Sequence, residues 1–79
     1  MKIKNRIPLH EIEKQLLKIK EEITKAKPNS KKGKEFLDNV KAYITDCEHF
    51  LKKGDYVLAF ECIVWAWAWY EIGKEIKVL

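Results

Sequence analysis

The tripeptide Lys53-Gly54-Asp55 constrains this chain more than any other feature. It separates two stretches whose apolar residues recur at helical spacing. Three residues leave room for nothing but an antiparallel helix pair. Gly54 stands where a helix ends and the chain turns left-handed, and Asp55 stands where the next helix needs an N-cap. The turn therefore predicts a hairpin with helices over about 34–52 and 56–76.

On the second segment, Phe36, Leu37, Val40, Tyr43, Ile44, Cys47, Phe50 and Leu51 are the expected inward residues. A third helix is expected ahead of the hairpin, over about 9–26. There Leu9, Ile12, Leu16, Ile19, Ile23 and Ala26 alternate steps of three and four, forming one apolar stripe. Pro8 suits a first helical turn and pushes Ile7 into an extended conformation. Residues 1–6 are expected to fray. Pro28 closes the first helix, and Asn29 or Ser30 can cap the second. The fold class is therefore all-α: a three-helix bundle in which helices 2 and 3 form an antiparallel hairpin and the N-terminal helix packs alongside. At 79 residues it is expected to be a single helical domain, residues 1–79.

The third segment is anomalous. One stripe holds Tyr56, Ala59, Phe60, Ile63, Ala66, Trp67, Tyr70 and Gly73. A second holds Leu58, Cys62, Trp65, Trp69, Ile72 and Ile76. A surface helix shows one apolar stripe; this one is apolar nearly all round. The other two helices cannot cover it completely, and soluble monomers avoid large exposed apolar patches. Core packing explains the first stripe. Self-association, with a dimer favoured, is the leading explanation of the second; a foreign protein partner and an apolar ligand are the alternatives. The run 56–70 is too short for a membrane span and contains Glu61.

Charge divides the chain. Residues 1–34 carry eleven Lys or Arg against four Glu, and residues 35–79 carry five Lys against eight acids. A basic half can meet nucleic acid, an acidic partner, or the acidic half of a second copy. The basic loop 27–33 and the residue after it contribute Lys27, Ser30, Lys31, Lys32 and Lys34 around a helix start, where anions are favoured. They read as a phosphate or nucleic-acid backbone site, or as a solvated lysine loop. No aromatic residue sits among them to stack on a base.

The residues of an enzyme are scarce. Ser30 is the only serine. Glu71 and Glu75 are one helical turn apart and read as a solvated face. His10, Cys47 and His49 lack the spacing of a zinc site. No catalytic residue, metal or cofactor is assigned. Cys47 and Cys62 fall at the same height on either side of the turn. They are two buried thiols in a close helix contact, a disulfide, or a redox site.

The segment Phe50-Leu51-Lys52-Lys53-Gly54-Asp55-Tyr56-Val57-Leu58-Ala59-Phe60, within 35–79, resembles the small archaeal family catalogued as domain of unknown function 357. The first helix matches more loosely. The resemblance implies an all-helical bundle in an archaeal cytoplasm and no particular activity. The expected function is thus a non-enzymatic interaction or scaffold module. Nucleic-acid or phosphate binding through the basic half is the alternative, alongside partner-peptide or apolar-ligand binding on the tryptophan face.

Overall fold

In the computed structural model, which describes residues 8–79, the chain forms three helices. These are α1 (Leu9–Ile23), α2 (Lys31–Lys52) and α3 (Tyr56–Glu75). The expectations for residues 1–6 and for Ile7 lie outside the described residues.

α1 starts from Pro8, which occupies the N-cap position itself in an extended conformation. Its carbonyl accepts from the Glu11 and Ile12 amides. The helix closes at Ile23, earlier than its apolar stripe. Lys25 and Ala26 still donate to the Glu22 and Ile23 carbonyls, so the stripe continues as a tight turn. Ile12, Leu16 and Ile19 are buried, and Ile23 and Ala26 pack against the same core.

α2 begins at Lys31, three residues before the sequence suggested. Of the two candidate caps, Ser30 takes the role: its hydroxyl accepts from the Gly33 amide at 3.1 Å. Asn29 is used elsewhere. Its amide donates to the Val78 carbonyl at 3.3 Å, and its side chain donates to the Lys77 carbonyl at 2.9 Å.

The hairpin turn follows its local chemistry. Gly54 adopts φ 76°, where an L side chain is strained. Its amide donates to the Leu51 carbonyl and the Asp55 amide to the Phe50 carbonyl, at 3.0 and 2.9 Å. This is the paired closure of a Schellman motif. Asp55 Oδ1 then accepts from the Leu58 amide at 3.1 Å and caps α3.

α3 ends in the same motif with a different residue. Lys77 takes the left-handed position at φ 62°. Its amide donates to the Lys74 carbonyl, and the Val78 amide donates to the Gly73 carbonyl at 2.9 Å. The reversal lays residues 77–79 across the start of α2. Gly33 is buried there; a Cβ on it would overlap the Val78 carbonyl oxygen. Leu79 lies against Gly73 and joins the core.

α3 packs along most of α2, and α1 leans mainly on α3. The core joins Ile12, Leu16 and Ile19 of α1 to Val40, Ile44 and Cys47 of α2. α3 supplies Ala59, Ile63, Ala66 and Tyr70. The Tyr70 hydroxyl lies 3.2 Å from both the carbonyl and a carboxylate oxygen of Glu22, tying α3 to the end of α1. Burial and the Glu22 hydrogen bond both push its titration upward. Lys20 and Glu48 form the ion pair between α1 and α2. The described residues span 43 × 22 × 16 Å. Among the described residues no fourth helix covers α3.

Candidate interaction surface

The outer face of α3 is built by subtraction. α2 covers one flank and α1 another, and what remains is apolar. Trp65 is 55% exposed, Ile72 51% and Val64 48%; Val57, Leu58 and Ile76 are also exposed. Apart from Leu9 and Leu17 on α1, every exposed large apolar side chain among the described residues lies on or just beyond α3.

Four of the six residues assigned to this face from the sequence are exposed: Leu58, Trp65, Ile72 and Ile76. Cys62 and Trp69 are half-buried and pack against the core. The Trp69 ring meets Phe36 of α2 edge-on, at 4.9 Å between centroids. Trp65 stacks against Tyr43 of α2 at 6.3 Å and 22°, so α2 props the indole while its other side faces water. The open face is therefore rotated away from Cys62 and toward Val57, Glu61, Val64 and Ala68. Sequence reasoning missed Val57 and Val64. The signal was Glu61, whose carboxylate marks the outward direction of an otherwise apolar helix.

Two depressions mark this side. One, of about 100 Å³, is lined by Trp65, Ala68, Trp69 and Ile72 alone. The other is a groove of about 390 Å³ between α1 and α3, lined by Glu11, Gln15, Phe60, Ile63, Val64 and Trp67. Gln15 donates to the Glu11 carboxylate at 3.1 Å. That bond is the main cause of the lowered Glu11 titration. The buried indole N–H of Trp67 has no acceptor among the described residues. Val64 of the groove is next in sequence to Trp65 of the smaller depression.

The basic residues gather elsewhere. Lys31, Lys32 and Lys34 occupy the first turn of α2, which contains no acid. Lys27 is exposed in the preceding loop, and the tail brings Lys77 alongside through its hydrogen bond to Asn29. None of these five lysines forms an ion pair among the described residues. Ser30 is already committed to its cap.

Cys47 and Cys62 are free thiols. Cys47 is fully buried, and desolvation, with Cys62 close by, pushes its titration up to about 11. Burial raises Cys62 as well. A thiol held neutral is a poor nucleophile, and these two serve as packing groups. Among the described residues, no three His, Cys, Asp or Glu side chains gather closely enough to hold a metal. No helix there is long and apolar enough to cross a membrane.

Over residues 9–79 the chain matches the family described as "Protein of unknown function (DUF357)". Among solved structures it is similar to the crystal structure of protein AF1782 from Archaeoglobus fulgidus, itself assigned to DUF357. The two share 45% sequence identity and a TM-score of 0.79, over 87% of this chain and 86% of that one. No curated protein matches the chain.

Proposed function

The chain belongs to the DUF357 family, and from the surface its fold leaves open we propose that it is a non-enzymatic interaction module that self-associates through α3. The observation that carries this reading is the outer face of α3, where Trp65, Ile72, Val64 and Leu58 lie exposed on one helix. A helix spends apolar side chains on water only at a cost, and contact with a second surface recovers it. A scaffold role in the cytoplasm is the setting this reading assigns.

The face is about 30 Å long and about one helix wide. That is the low end of stable interfaces, so the assembly is expected to dissociate on dilution. Light scattering across concentrations reads this directly. Wild type is expected to approach twice the 9.4 kDa chain mass as concentration rises, while Trp65→Glu stays at the chain mass with helical circular dichroism unchanged. A wild-type mass of one chain throughout would overturn the reading.

The lysines at the start of α2 favour a second reading, as a phosphate-backbone surface. Three lysines in one acid-free turn oppose the helix macrodipole unless an anion is near. This reading expects RNA or DNA binding that weakens steeply with salt. Absence of binding at about 50 mM salt removes it.

A further inference from the structure

We propose that residues 1–7 of this same chain fold back from Pro8 as an extended strap along the groove between α1 and α3, with Ile7 over Phe60 and Ile3 over Trp67. This does not depend on self-association, since it concerns the flank of α3 beside α1. The groove, of about 390 Å³, has Phe60, Ile63, Val64 and Trp67 for its α3 wall, with Glu11 and Gln15 on α1. Such a wall favours an apolar occupant. The segment that leads into α1 has an apolar side to offer. It reads Met1-Lys2-Ile3-Lys4-Asn5-Arg6-Ile7. Pro8 turns the residue before it away from helical conformation, and in an extended chain alternate side chains share a face. Met1, Ile3, Asn5 and Ile7 then fall on one face, and Lys2, Lys4 and Arg6 on the other. That alternation is the pattern of a segment covering an apolar surface with one side. With the isoleucines on the groove, the cations stay in water with Glu11 within reach. Their attraction to it is a minor part of the argument, because His10 and Lys14 adjoin that carboxylate.

The helix start sets the direction. Pro8 is the N-cap of α1, so Ile7 precedes the cap and Ile12 is the fourth residue of the helix. These are the two positions of a hydrophobic staple, which draws the incoming chain back over the first turn. Ile12 is buried in the core. α1 and α3 run the same way: Glu22 meets Tyr70, while Glu11 and Gln15, nearer the start of α1, share the groove with residues 60–67. Reach agrees with this. Phe60 to Trp67 is a rise of about 10 Å along α3, and Ile7 to Ile3 spans about 13 Å when extended. The tether selects the occupant. A segment joined to the helix one turn before Glu11 is held there at an effective concentration on the order of millimolar, well above that of a free peptide or a second copy in dilute solution.

The test uses the full chain in NMR, with labelled and unlabelled molecules mixed so that contacts within a chain are told from contacts between chains. Wild type should show nuclear Overhauser contacts from the Ile7 methyls to the Phe60 ring and from the Ile3 methyls to the Trp67 ring, within one chain. Ile3→Asp with Ile7→Asp should erase them and lower the melting temperature by a few degrees, with helical circular dichroism unchanged. Lys2→Ser with Lys4→Ser, on the outward face, should keep the contacts and the melting temperature. Absence of both contacts in wild type would overturn the strap. A contact from Ile7 alone would reduce it to the staple and overturn it too. Contacts found only between chains would give the groove to a second copy instead. Equal losses of melting temperature in the two double variants would overturn the assignment of faces and the strap with it.

Discussion

α2 and α3 are nearly the same length, lie side by side, and end in the same kind of turn. Their outer faces could hardly differ more. α2 exposes no large apolar side chain; its outward positions include Lys34, Glu35, Asp38, Lys41, Asp46 and Lys52. α3 exposes Val57, Leu58, Val64, Trp65 and Ile72. Both bury a similar inner stripe. The inner stripes account for the fold, and only the outer face of α3 calls for something beyond it. A helix that is amphipathic is finished once its bundle forms; a helix apolar all round is not.

The sharpest way to break this contrast is to cut two adjacent residues of α3, one buried and one open. Ile63 is 1% exposed and touches the centre of the core, whereas Val64 is open. Ile63→Ala is expected to cost about 2–5 kcal/mol in urea denaturation. Val64→Ala should change monomer stability by less than about 0.5 kcal/mol. Equal losses would mean that α3 is not one-sided.

A smaller effect tests the inner side of α2. Cys47 titrates near 9.0 when solvated and near 11 in the fold. The folded state thus holds the thiol proton more tightly than the unfolded state. Stability is full below about pH 9 and declines as pH rises toward about 11. Cys47→Ala should flatten this part of the alkaline limb in a pH series of thermal melts. An unchanged alkaline slope would show that the thiol is solvated.

The smallest effect compares the two helix ends. α2 closes on Gly54 and α3 on Lys77, both left-handed. A non-glycine residue pays about 1 kcal/mol for that conformation. Lys77→Gly should therefore stabilise the chain by up to about 1 kcal/mol, raising the melting temperature by a few degrees. A lowered melting temperature would mean that the lysine side chain contributes more than its backbone costs.

The hairpin was legible because its signals are local: Gly54 and Asp55 act on residues within one turn of themselves. The stripe of α1 was legible for the same reason. The orientation of α3 was not. Its two stripes are about equally apolar, and only packing against Phe36 and Tyr43 of α2 decides that Cys62 and Trp69 turn in while Val57 and Val64 turn out. Gly33 read as part of a lysine loop. Its role is to admit the Val78 carbonyl, a contact with the far end of the chain that no nearby residue announces. Lys77 carries no mark of a helix stop, since lysine is an ordinary helix residue.

The hydrogen bonds from Asn29 to Lys77 and Val78 have a consequence for how the bundle opens. Helix ends ordinarily unravel one at a time. Here the first turn of α2 and the last turn of α3 are clasped by the same few atoms, with Leu79 pressed over Gly73 as the hasp. Loosening either end releases the other, so amide exchange at Asn29, Val78 and Leu79 should rise and fall together as one latch.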